Sequence, residues 1–204
     1  MNNMPFKYNF EMPIKILYIL FILIIIQSCN SSSVIETDKE ALQTDPKEQN
    51  KKIKQLFDQA SKTDSIGDYQ ASVKFYSDIL SLDKTFTGAL INRATAYINL
   101  GDTTAAFNDL NRAVIYSPHE KTYYSRGTAF VYLNTHLNIA KEDLLRAIAL
   151  NPENSASYYS LSMLELSRKH VDSCAFYLQT ADKIGYNANM SNHIKNELNK
   201  LSKK

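Results

Sequence analysis

The chain has no tryptophan, only two cysteines, and only five glycines and five prolines among 204 residues. Both turn formers fall well below the roughly 7% and 5% of average chains. With so few of them, and no alternating strand pattern, a β fold is disfavoured and an all-α one is expected. Charge of one sign is also lacking. The formal net charge of +2 is too small to imply nucleic acid, and no basic cluster interleaves with aromatics. The only basic concentration, Lys195, Lys200, Lys203 and Lys204, suits a solvated last helical turn favoured by the macrodipole.

Catalytic signatures are missing as well. There is no phosphate-cradling glycine loop, no helix with paired metal-binding histidines and no nucleophile elbow. Four histidines occur, His119, His136, His170 and His193. His136 and His170 fall in equivalent turns of neighbouring repeats, which stacked helices place about 10 Å apart. That is too far for two ligands of one metal at about 2 Å each, so both are expected to be solvated turn residues. No enzyme activity, cofactor, metal or small-molecule substrate is expected.

What the chain does have is a period. Asp68, Asp102, His136 and His170 follow one another at 34-residue steps, each before an apolar run: Tyr69 to Leu82, Thr103 to Tyr116, Leu137 to Leu150, Val171 to Ile184. Small residues recur inside the runs at Ser72, Ala106, Ala140 and Cys174, and seven residues on stand Ile79, Ala113, Ala147 and Ala181. A large residue lies between them: Tyr76, Leu110, Leu144, Leu178. Lys84, Pro118, Pro152 and Tyr186 close each unit. Repetition at this period marks a helical solenoid, in which one helix pair cannot bury its own apolar face and stacks on the next.

The two middle units carry the strongest pattern. One supplies Leu90, Ala94, Tyr97, Gly101, Ala106, Leu110, Ala113 and Pro118; the next supplies Tyr123, Gly127, Phe130, Ala140, Leu144, Ala147 and Pro152. In the second of these the first helix is displaced by one residue, which the longer turn around Asn134, Thr135 and His136 recovers. The outer units diverge at the aromatic position, where Thr63 and Glu165 stand. These units resemble the tetratricopeptide repeat, a pair of antiparallel helices, over about residues 53–186. The resemblance implies four such pairs, residues 46–86, 87–119, 120–154 and 155–186. Asp45, Pro46 and Glu48 read as a helix start. Past Tyr186, Met190, Ile194, Leu198 and Leu201 fall on one helical face, so residues 187–204 form an amphipathic helix. Either it caps the last pair or it docks a partner.

In the tetratricopeptide family the first helices of successive units line a concave groove. Aligning this chain gives one row of Phe57, Ile91, Tyr124 and Tyr159, and a second of Ser61, Thr95, Thr128 and Met163, with Asn99 and Tyr132 beside them. The first row is apolar in all four units. Such residues either capture an extended segment or pack between adjacent helices. Some members clamp an acidic C-terminus with Lys, Asn and Arg; here Phe57 and Ser61 occupy the opening clamp positions, although Asn92 is compatible. The expected partner is a protein or peptide, with no nucleic acid. Membership of an assembly complex for outer-membrane, pilus or secretion machinery is the alternative.

The first residues are a different object. Lys7 and Lys15 precede an unbroken apolar run, Ile16 to Ile26, ending at Gln27, Ser28 and Cys29. Eleven apolar residues are too few to span a bilayer core, which needs about 20, but they suit a secretory signal. The four residues from Ile26 to Cys29 resemble the lipobox of bacterial lipoproteins. That resemblance implies a signal peptide over residues 1–28, a lipidated Cys29 and a flexible tether over 29–45. The implied location is the cell envelope, through a lipid anchor in the outer membrane facing the periplasm. A thioether at Cys29 leaves Cys174 alone, at a tight packing position where a buried small hydrophobe is expected.

Overall fold

The structure is a computed structural model that describes residues 45–186 and 188–201, without the side chains of 188–190. The expected signal peptide, Cys29 and nearly all of the tether lie outside the described residues. The residues from Asn50 onward form one compact unit, which holds the repeats.

The described residues form nine α-helices and no strand: α1 (Pro46–Ser65), α2 (Tyr69–Leu82), α3 (Thr87–Leu100), α4 (Thr103–Tyr116), α5 (Glu120–Tyr132), α6 (Leu137–Leu150), α7 (Ser155–Ser167), α8 (Val171–Ile184) and α9 (Ala188–Leu201). The second helix of every pair, α2, α4, α6 and α8, spans the apolar run expected for it. None of the described helices is long and apolar enough to cross a membrane.

Local chemistry sets the boundaries. Asp68 and Asp102 cap α2 and α4, their carboxylates accepting from the backbone N–H of Ala71 at 3.1 Å and Ala105 at 3.0 Å. This satisfies one of the donors that a helix N-terminus leaves open. Each first helix ends on a residue in the left-handed region: Gly67, Gly101, Asn134 and Lys169. The next N–H then bonds back to the carbonyl of Thr63, Tyr97, Phe130 or Glu165, the geometry of a Schellman stop. Between α5 and α6 the turn holds a second left-handed residue, His136 at φ 48°. The extra residue of the third unit is absorbed there.

Packing follows the size pattern. Ser72, Ala106, Ala140 and Cys174 are fully buried, as are Ile79, Ala113, Ala147 and Ala181. At Gly127 an added Cβ would lie 2.9 Å from Leu144 Cγ and 3.1 Å from the Ala140 carbonyl oxygen, so only glycine lets α5 and α6 approach this closely. From α2 onward each helix packs on the one that follows it, and α1 sets Ile53, Leu56 and Ala60 into a core shared with Tyr76 and Ile79 of α2. The first helices also touch one another, α3 on α5 and α5 on α7. Helix α9 packs on α7 and α8, where the first helix of a fifth unit would stand. Its Ile194 is buried against Cys174 and Leu178, and Lys195 pairs with Asp182 at 2.7 Å.

Two repeated ion pairs tie the units together. Arg93 reaches Asp109 through two bonds of 2.7 and 2.8 Å and also donates to Ser77 Oγ on the preceding pair. Arg126 repeats this with Asp143, at 2.7 and 2.9 Å, and with Asn111. Asp109 and Asp143 are buried, so each carboxylate depends on its planar, bidentate partner.

Candidate binding groove

Contact between α3 and α5 leaves a depression of about 340 Å³ on the first-helix face. Ile91, Ala94, Thr95, Ile98 and Asn99 come from α3, and Tyr124, Ser125, Thr128, Ala129 and Tyr132 from α5, with Leu110 of α4 completing the lining. Side chains four apart on a helix share a face, which is why Ile91, Thr95 and Asn99 arrive together. The Thr95 hydroxyl donates to the Ile91 carbonyl at 3.1 Å and the Asn99 amide to the Thr95 carbonyl at 2.8 Å. Both polar side chains thus lie along their own helix and leave the apolar lining open. Tyr132 is 73% exposed at its edge.

A second depression of about 340 Å³ adjoins it, lined by Ser61, Asp64, Tyr69, Tyr76, Asn92, Thr95 and Asn99. Thr95 and Asn99 are common to both. The Tyr76 hydroxyl donates to Asp64 Oδ2 at 2.6 Å and accepts from Asn92 Nδ2 at 3.1 Å. Burial and the neighbouring carboxylate push the Tyr76 phenol up to about 12, so it remains a neutral donor. No lysine, arginine or histidine lines either depression, and Asp64 is the sole acid.

Of the residues aligned to the groove, Ile91, Thr95, Asn99, Tyr124 and Tyr132, with Thr128, share one depression. Phe57, Tyr159 and Met163 are not brought into it. Phe57 packs edge-on against Tyr76 and Phe86, with ring centres 5.8 and 6.0 Å away. Tyr159 stacks on Tyr186 at 4.3 Å. The row reading is corrected for these two: at the outer units the aromatics fill gaps between helices. Met163 is 37% exposed and lines neither depression. Asp64 and Tyr76 escaped the alignment, although Asp64 lies seven residues after Phe57 on the same helix face.

The two turn histidines are solvated, as expected, and each also has a partner. Both are exposed, yet His136 stacks on Phe130 at 5.0 Å. His170 Nδ1 lies 2.7 Å from the fully buried Glu165, which Lys141 Nζ approaches at 2.6 Å on its other oxygen. Glu165 occupies the aromatic position of its unit. Its polar partners explain how a carboxylate survives there. At the same position Thr63 bonds with Ser72 Oγ at 2.9 Å.

Residues 87–119, covering α3, α4 and the turn after them, match the family described as tetratricopeptide repeat. The fold of the described residues is that of a tetratricopeptide-like solenoid. Mouse tetratricopeptide repeat protein 16 is 28% identical over 130 residues, which is 60% of this chain and 17% of that protein. Rat sperm-associated antigen 1 is 33% identical over 118 residues, 57% of this chain and 13% of that protein. The chain therefore spans less than a fifth of the length of either relative. Among solved structures, a tetratricopeptide repeat protein from Parabacteroides merdae superposes with a TM-score of 0.65 at 20% identity, covering 83% of this chain and 64% of the other. The first tetratricopeptide domain of Spaghetti (RPAP3), bound to the HSP90 peptide SRMEEVD, gives 0.54 at 27% identity, covering 58% and 94%.

Proposed function

We propose that this protein is a non-catalytic interaction module that binds an extended protein segment across the α3–α5 depression. The observation that carries this reading is the depression itself: about 340 Å³, apolar below, with hydroxyl, amide and phenol groups at its edge. That is the composition of a site taking an apolar side chain and fixing its backbone. The Spaghetti domain holds its peptide on a related fold, which supports the class of ligand. A lipid on Cys29 would hold the module at the outer membrane of a bacterial envelope, facing the periplasm.

The test combines partner recovery with melting. Tyr132→Ala and Thr95→Trp are expected to weaken recovery in a membrane-preserving pull-down while leaving the melting temperature unchanged, because both positions are exposed. Full recovery with both variants overturns the groove reading. The anchor is tested separately: Cys29→Ala is expected to abolish incorporation of labelled fatty acid, and continued labelling overturns it.

A second reading, a fixed subunit of an envelope assembly complex, draws on another surface. Tyr116, Leu150 and Ile184 end their helices at 34-residue steps and are 42%, 57% and 37% exposed. An apolar row of this kind suits a permanent interface. Purification of a stoichiometric complex that survives the groove variants but dissociates on Leu150→Glu would favour it.

A further inference from the structure

The groove reading leaves the chemistry of the bound segment open, and the residues of the second depression narrow it. Asp64 Oδ2 already accepts from the Tyr76 hydroxyl; Oδ1 has no partner among the described residues. Asn92 holds the Tyr76 hydroxyl from the other side, so the carboxylate sits in a fixed polar wall. Nothing cationic lines either depression to neutralise it. A carboxylate at the rim of an apolar site raises the local concentration of cations and repels acidic segments. Both depressions share Thr95 and Asn99, one helical turn apart. A chain extended at about 3.3 Å per residue crosses from one to the other in roughly three residues.

On the groove reading above, we infer that the groove selects a segment with an apolar side chain in the α3–α5 depression and a lysine or arginine within about four residues of it, paired with Asp64. The charge sense is opposite to that of the acidic peptide SRMEEVD bound by Spaghetti. Asp64 acts as a specificity-determining residue, and the α3–α5 depression supplies the anchor. The pair is solvent-accessible, so its contribution is modest and falls with salt.

The experiment pans a phage-displayed random decapeptide library on the purified full chain, then measures synthetic versions of enriched peptides by fluorescence anisotropy at low salt. Enriched peptides are expected to carry Lys or Arg within four residues of a large apolar side chain. Replacing that cation by norleucine is expected to weaken binding about three- to fivefold on the parent and to have no effect on Asp64→Asn, whose side chain still accepts from Tyr76. Acidic or uncharged peptides that bind parent and Asp64→Asn equally, yet are weakened by Thr95→Trp, overturn the cation assignment and leave the groove reading standing. Failure of Thr95→Trp to weaken any enriched peptide overturns the groove reading itself. The norleucine comparison keeps the test decisive even where a protein variant folds poorly.

Discussion

Asp143 is 1% exposed and held by two bonds from Arg126, and its stability contribution is best seen by removing it. Asp143→Ala would leave a largely buried guanidinium without its carboxylate. It is expected to cost about 3–5 kcal/mol, whereas replacing both partners with Leu and Met is expected to recover most of that loss. Urea denaturation of the three variants measures both effects. Glu165 is a further buried acid. Burial pushes its carboxyl up, but the bonds from Lys141 and His170 outweigh burial and hold it below the ordinary glutamate value. The native state therefore binds fewer protons than the unfolded chain. The linked stability is present above the usual glutamate range, about pH 4.3, and is lost as pH falls through the lowered value. Urea midpoints taken from about pH 6 to about pH 3 are expected to fall less steeply for Glu165→Gln than for the parent.

Single residues explain the pairs, but the last pair is complete only with α9. A repeat array ends on an apolar face that needs a polar-backed cover. Ile194 and Leu198 turn onto Cys174 and Leu178, while Lys195 and the Ser191 hydroxyl fasten the helix to Asp182. Burial, with Glu165 adding to it, pushes the Cys174 thiol up to about 11, which makes it a poor nucleophile. Deleting residues 187–204 is expected to expose that thiol. Alkylation at Cys174, followed by mass spectrometry, should be slow in the parent and fast in the truncated chain, together with a lower melting temperature. Equal alkylation rates would mean that α9 does not cover the fourth pair.

For the molecule as a whole, the aromatics divide between two jobs. Tyr159 stacks on Tyr186 and packs with Cys174, Leu178 and Ile194; Tyr124 lines the depression between α3 and α5. Tyr159→Ala is expected to lower stability by about 3 kcal/mol, in the range of large-to-small changes that open a cavity. Tyr124→Ala is expected to weaken peptide binding by about 2 kcal/mol, some thirtyfold, as a central anchor would. Melting and anisotropy on the same two proteins separate these roles. A large loss of stability from Tyr124→Ala without a binding defect would move that residue to the packing class.

The sequence by itself determined the helices and their order. Period, size alternation and turn residues act over one or two helical turns, so the runs beginning at Tyr69, Thr103, Leu137 and Val171 could be read directly. That six aligned residues would fall on one helix face was also legible, because the repeat carries each position to the same face. The partners of the buried charges were not legible. Arg93 and Asp109, Arg126 and Asp143, and Glu165 with Lys141 are 16, 17 and 24 residues apart, and each reads locally as a solvated helix residue. The 34-residue step between Asp109 and Asp143 was the available signal. Whether an aromatic of the first row packs or faces solvent was likewise a tertiary matter. The same helix position at Phe57 and Tyr124 meets different neighbours: Phe86 closes over one, while between α3 and α5 small Ala94 and Ala129 leave the space open. Helical periodicity decides which side a residue faces; only the volume of what stands opposite decides whether a groove remains.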